Sequence, residues 1–334
     1  MSSPLIQPTG KGLYCAAGDF YIDPWRPVSR AVITHAHADH ARAGSEQYWA
    51  ASPGLGLLRR RLGPRGVIHG VDYGVPVQFG PVAVSLHPAG HILGSAQIRV
   101  EYRGEVWVAS GDYKRDADPT CAPFEPLACD TFITEATFAL PVYRWPAVES
   151  VAADIHAWWQ RNASERRTTM LFSYALGKAQ RLLAALPAEH PGPIYLHGAV
   201  APLTQDYRDA GVELPPTRMV SEAAKDEDYG SSLVIAPPSA AGSTWMRRFR
   251  KPVTGFASGW MRIRGNRRRR GHDRGFVISD HVDWPGLLQT IRDTGARQVL
   301  TTHGRADELV RYLNEQGLQA RPLATLFGDD EDSD

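Results

Sequence analysis

Short apolar runs alternate with polar punctuation along this chain, and the runs sort by period. Ala31-Val32-Ile33, Val106-Trp107-Val108-Ala109 and Gln298-Val299-Leu300 are brief, rich in β-branched residues and closed by polar or glycine positions, the pattern of buried strands. Asp130-Thr131-Phe132-Ile133-Thr134 and Phe276-Val277-Ile278 fit the same pattern, each with a carboxylate or histidine just beyond it. Helical period runs through residues 147–161, where Val151, Ile155, Trp158 and Trp159 fall on one face. Thr169-Met170-Leu171-Phe172-Ser173, Ile194-Tyr195-Leu196-His197-Gly198 and Leu233-Val234-Ile235-Ala236-Pro237 follow, separated by helical pieces such as residues 178–185. Strands alternating with helices predict parallel strands with crossover helices in this middle stretch.

The polar residues that close the strands carry the chemistry. Thr34-His35-Ala36-His37-Ala38-Asp39-His40 follows the first run directly. His35 and His37, at i and i+2 on an extended exit, point the same way and can share one ion, while Asp39 and His40 on the next turn can reach a second. Imidazole with carboxylate suits zinc and tolerates manganese or iron. In Ser85-Leu86-His87-Pro88-Ala89-Gly90-His91 the ligand is expected to be His91, because glycines at 90 and 94 let backbone approach an ion, with His87 in packing or a supporting role. Asp112 closes the strand at residues 106–109, and Asp23 closes Phe20-Tyr21-Ile22.

His-x-His-x-Asp-His at a strand end resembles the signature of the metallo-β-lactamase superfamily. The resemblance implies an α/β fold, a metallo-β-lactamase αββα sandwich, and two divalent ions, zinc with manganese as the alternative. His35, His37, His91 and Asp112 would bind one ion; Asp39, His40, Asp112 and His303 would bind the other. Asp23 resembles the aspartate that orients ligands from behind. Two ions held close together activate water and stabilise the oxygens of a phosphodiester undergoing in-line displacement.

Three later segments narrow the resemblance to the β-CASP nucleases, which act on nucleic acids: residues 130–138 ending in Glu135, residues 276–284 with Ser279-Asp280-His281, and residues 298–304 with His303. By this resemblance His281 is the general acid that protonates the leaving oxygen and Glu135 orients it. The intervening stretch would be an inserted β-CASP α/β cap domain. This divides the chain into residues 1–145 (first part of the main domain), 146–255 (insertion), 256–325 (second part) and an acidic, disordered tail at 326–334. Ser173, Gly177 and Lys178, at a strand-to-helix turn, and Ser239, Gly242 and Ser243, in a second small-residue turn, are candidate phosphate contacts, since a helix N-terminus presents free N–H groups.

Gly18 to Trp25, Ala236-Pro237-Pro238-Ser239-Ala240-Ala241-Gly242 and Ser258-Gly259-Trp260-Met261 are similar to the bacterial ligase-associated DNA exonucleases. That family implies DNA as substrate and partnership with an ATP-dependent DNA ligase and a helicase in repair. His303 is instead more typical of RNA-cleaving β-CASP enzymes, so an RNA-processing ribonuclease is the alternative. A small-molecule metallo-hydrolase has no evident need for the features described next, and a non-catalytic scaffold conflicts with a full set of ligands.

Net charge is only +1, yet residues 247–274 are strongly basic with Asp273 as their single acid. Arg264, Arg267 and Arg268 are the candidate phosphate-backbone contacts in this run, with Trp245, Phe249, Phe256 and Trp260 available for base stacking. At 334 residues with ligands near both ends of the chain, the main domain must be discontinuous. Cys15, Cys121 and Cys129 have no ligand-like spacing and argue against a disulfide framework, so a cytoplasmic protein is expected. No apolar run approaches the ~20 residues that span a bilayer, and residues 1–11 lack a signal pattern.

Overall fold

In the computed structural model, which describes residues 4–263, 271–304 and 306–325, the apolar runs become strands of three sheets. The first sheet follows chain order: β1 (Gln7–Pro8), β2 (Leu13–Cys15), β3 (Phe20–Ile22), β4 (Arg30–Val32), β5 (Gln47–Ala51) and β6 (Val67–Val71). Its first pairings are antiparallel and those from β3 onward parallel. Between β5 and β6, α1 (Leu55–Leu62) buries Leu57, Leu58 and Leu62.

The second sheet begins with antiparallel strands β7 (Val77–Phe79), β8 (Val82–Pro88), β9 (Ala96–Tyr102) and β10 (Glu105–Ala109). Parallel β11 (Thr131–Glu135) then pairs with β10.

Residues 144–280 form a separate unit. Here α2 (Val148–Ser164) precedes β12 (Thr169–Phe172), α3 (Lys178–Ala185), β13 (Ile194–Leu196), α4 (Ala201–Asp209), β14 (Arg218–Met219), β15 (Leu233–Ala236), β16 (Val253–Ala257) and β17 (Arg274–Phe276). The sheet is parallel, in the order β14-β13-β15-β12-β16-β17. Period-2 alternation sends Leu171, Ile194 and Ile235 to the α2 face with Ile155 and Trp159, and Met170, Tyr195 and Val234 to the opposite core with Phe249. The unit runs to residue 280 and not to 255, because β16 pairs with β12 and β17 with β16 inside this sheet.

The chain rejoins the first unit at His281 through α5 (Trp284–Thr294), β18 (Gln298–Thr302), α6 (Asp307–Glu315) and β19 (Gln319–Pro322). β18 lies beside β11, completing the order β19-β18-β11-β10-β9-β8-β7. Neighbouring strands β11 and β18 are buried on both faces. Trp107, Ile133 and Leu300 enter one core with Phe20 and Val32 of the first sheet, while Val108, Phe132 and Val299 enter another with Leu287, Ile291 and Leu309 of the helices. Sheet therefore packs on sheet with helices outside, the layered solution for elements apolar on both faces.

No disulfide joins Cys15, Cys121 or Cys129. Among the described residues no helix is long and apolar enough to cross a membrane. The acidic tail from residue 326 lies outside the described residues.

Candidate active site and metal centre

Every candidate ligand leaves the C-terminal end of a strand in the first unit, where the backbone is released from the ladder and a side chain is free to turn. β4 delivers residues 34–40, β8 the loop with His91, β10 leads to Asp112, β11 ends in Glu135 and β18 leads to His303. Gly111 makes one of these approaches possible: at φ +55° its position leaves no room for a side chain, since a Cβ would stand 2.6 Å from Thr34 Cβ.

The structure brings His35, His37, His91 and Asp112 together, with one ligand atom from each lying within 4.8 Å of the others. The Nε2 atoms of His35 and His91 each lie 3.0 Å from His37 Nδ1. Asp39, His40 and His303 form a second cluster on the same criterion. Asp112 adjoins both, with Oδ2 3.4 Å from His35 Nε2 and 3.6 Å from His40 Nε2. His87 stands apart, 3.0 Å from Ser85 Oγ and 3.2 Å from Glu125 Oε2.

These residues fit divalent cations by donor chemistry and by what burial leaves unmet. Asp112 Oδ1 is buried and accepts no hydrogen bond among the described residues, a costly state for a carboxylate that a cation would relieve. Burial holds His35 well below the ordinary imidazole value and depresses His303 to about 4. At His40 burial acts in the same direction, but the Asp39, Asp112 and Asp23 carboxylates overcome it and raise the group to about 10. That proton is the charge a metal ion would replace.

Behind the ligands lies a hydrogen-bonded support. Asp23 Oδ1 accepts from Thr34 N–H at 2.8 Å, and Oδ2 accepts from Thr34 Oγ1 at 2.5 Å and from His40 Nδ1 at 2.7 Å. Asp23 and His303 both have left-handed backbone, at φ +42° and +55°, strain that the surrounding structure must hold in place. Thr34 was not among the expected site residues; its place between strand and first histidine was the available signal.

His281 Nδ1 lies 2.8 Å from Glu135 Oε2, and Tyr113 N–H donates to Glu135 Oε1 at 2.8 Å. Ligand atoms of Asp112, Glu135 and His281 also lie within 4.8 Å of one another. Tyr113 is a support that sequence reasoning missed, because a backbone donor has no side-chain signature.

The expected phosphate contacts belong to the second unit. Ser173 is fully buried and its Oγ has no hydrogen-bond partner among the described residues. Gly177, at φ +86°, donates its N–H to Gln180 Oε1, and Lys178 is buried with Nζ 3.6 Å from Asp280. Ser239 lies in the turn Pro238–Ala240, Gly242 has φ +71°, and Ser243 Oγ donates to the Ala240 carbonyl at 2.8 Å. Arg264, Arg267 and Arg268 lie outside the described residues. Two of the aromatics expected to stack on bases are core residues instead. Phe249 and Phe256 are buried, packed against Tyr229 and His272, and both fill the core on the sheet face opposite α2.

Over 90% of its length the chain superposes on a crystal structure of a protein of unknown function from Enterococcus faecalis, with a TM-score of 0.60, 12% identity and 80% of that chain covered. The fold is α/β and metallo-β-lactamase-like. A probable DNA ligase of Opitutus terrae is 34% identical over 316 residues, covering 92% of this chain and 30% of that protein. Cleavage and polyadenylation specificity factor subunit 3 of Dictyostelium discoideum is 30% identical over 145 residues, covering 40% of this chain and 18% of that protein. Endoribonuclease YSH1 of Saccharomyces cerevisiae is 29% identical over 123 residues, covering 36% and 15%. The chain thus spans less than a third of the length of these curated relatives. No family profile matches. The similarities to subunit 3 and to YSH1 support the β-CASP resemblance carried by the motifs.

Proposed function

We propose that this chain is a metal-dependent phosphodiesterase of the β-CASP branch that removes nucleotides from DNA ends, acting in the cytoplasm in repair beside an ATP-dependent ligase and a helicase. The hydrolytic part rests on one observation above all: Asp112 adjoins two clusters of buried and half-buried metal donors and the His281–Glu135 pair at once. DNA is supported by the relative named as a probable DNA ligase, whose similarity extends over 92% of the chain.

His35, His37, His91 and Asp112 would hold one divalent ion, and Asp39, His40, Asp112 and His303 the other. When bound, the pair supplies water activation and charge stabilisation at the phosphorus oxygens. Glu135, an acceptor only, would hold the Nδ1–H of His281 and stabilise its imidazolium form, whose Nε2–H is the proton the departing sugar oxygen takes. Asp23 fixes His40 through Nδ1, so that Nε2, 3.6 Å from Asp112 Oδ2, is the atom that would hold an ion. Ser173 Oγ, just past β12, and Lys178 Nζ, at the start of α3, are buried polar groups suited to a terminal phosphate.

A second reading has its own support: His303 in the cluster and relatives named endoribonuclease favour RNA processing. The 2′-hydroxyl separates the two. Matched end-labelled DNA and RNA strands, incubated with the protein and zinc or manganese, test both. A ladder of short products from one DNA end, weak on RNA, supports the exonuclease; preferential RNA cleavage replaces it with the second reading. Asp112→Ala in the same assay is expected to abolish hydrolysis and to deplete bound metal, and full activity in that variant would overturn the two-metal assignment. His281→Ala is expected to slow turnover with metal content intact; loss of metal would make it a ligand.

A further inference from the structure

Helix α3 opens against the ordinary rule for its own dipole. Lys178 and Arg181 occupy its first turn, at the positive end, and both side chains are almost wholly buried. Spaced i and i+3, they lie on one face. Two buried cations at a helix N-terminus persist only with a compensating charge, and Asp280 supplies it. Its carboxylate is 4% exposed, with Oδ1 2.9 Å from Arg181 Nε and Oδ2 3.6 Å from Lys178 Nζ. Lys178 Nζ also sits 4.3 Å from the centre of the Tyr174 ring. The helix start is itself held: Gln180 accepts from Gly177 N–H and donates to the Ala175 carbonyl and to Thr204 Oγ1. Asp280 is therefore tied to a rigid part of its unit.

The next residue is His281. Its ring is tied to Glu135 at 2.8 Å and lies 5.9 Å from the Phe138 ring. Consecutive Cα atoms are held about 3.8 Å apart across a trans peptide, so a shift of Asp280 passes directly into the backbone that carries the imidazole. We propose that Asp280 is a positioning residue for His281: its ion pairs with Lys178 and Arg181 fix the peptide from which the proton donor hangs. This rests on the reading of His281 as general acid, and it adds a requirement which that reading does not contain.

The test separates proton donation from every other role by changing the leaving group. A thymidine dinucleotide must expel an alkoxide-like oxygen that needs a proton, whereas the p-nitrophenyl ester of thymidine 5′-phosphate expels a phenolate that does not. With the metal-loaded full chain, Asp280→Asn is expected to lower kcat on the dinucleotide by about ten- to a hundredfold, the scale of an ångström-sized misplacement. Metal content and turnover of the p-nitrophenyl ester should stay within about twofold of wild type, a scale far below that effect. His281→Ala should show the same selectivity more strongly. Should Asp280→Asn melt early, the same ratio is read in Arg181→Gln/Asp280→Asn, which removes one cation with the carboxylate and leaves the local net charge unchanged.

Equal losses on both esters, or none on either, in the variant that folds would overturn the inference while leaving His281 as the acid. Absence of selectivity in His281→Ala would instead sink the acid assignment and this inference with it. A wild-type chain that cleaves neither ester would remove the phosphodiesterase reading beneath both.

Discussion

At the residue scale the site is a balance of buried imidazoles and carboxylates, and its titration has a definite sign. Folded His303 lies at about 4 against an ordinary 6.5, with His35 also held low, so below 6.5 the unfolded chain binds protons that the folded metal-free protein refuses. Stability therefore rises with pH across that window. Folded His40 lies at about 10 against 6.5, so above 6.5 the folded protein keeps a proton that the unfolded chain releases, and stability falls as pH rises towards 10. The chelated protein is thus expected to melt highest near neutrality, and adding zinc should remove the alkaline decline by replacing the His40 proton. Melting curves across pH, with and without chelator, check this; a monotonic rise of the metal-free protein into alkali would contradict it. Asp23→Asn keeps the shape of the support but exchanges one acceptor for a donor facing Thr34 or His40. Metal affinity should drop roughly 10- to 100-fold, the usual cost of losing an outer-shell partner. Competition with a chromogenic chelator measures it.

At the element scale, strands carry the site and small residues set how closely their loops approach. Gly94, at φ +75°, lies in the loop after His91, where an added Cβ would stand 2.1 Å from Gly54 Cα. Gly94→Ala is expected to cost of order 1–3 kcal/mol from its backbone conformation alone, with the clash added, and to lower metal content by displacing His91. An unchanged melt and full metal loading would show that this contact does not position the loop. The elements were legible where the period was clear. Of residues 147–161, with their helical period, all but the capping Ala147 lie within α2, and residues 178–185 coincide with α3. Phe276-Val277-Ile278 was less legible: its strand ends at Phe276 and pairs in the second unit, because a short apolar run specifies extended backbone but not the sheet it joins.

At the scale of the whole molecule, near-zero net charge hides the basic stretch from Arg247 to Arg274. Neutralising Arg267 to Arg270 should flatten the dependence of log affinity for nucleic acid on log salt, because each phosphate contact releases counterions. An unchanged slope in a salt titration would detach this run from binding.

Residue types and spacing by themselves determined that histidines and acids follow strand ends, that the middle of the chain alternates strand and helix, and that the chemistry suits divalent metal. These are local properties, set by side-chain period and donor type. Tertiary structure decided what meets what. It placed His91 in the cluster and sent His87 to Ser85 and Glu125, although one lies in β8 and the other in the loop just after it. It joined Glu135 to His281 across 146 residues and moved the return to the first unit to residue 281. Such meetings depend on which strands pair and in what order, and a strand's own sequence shows its faces without naming its neighbours.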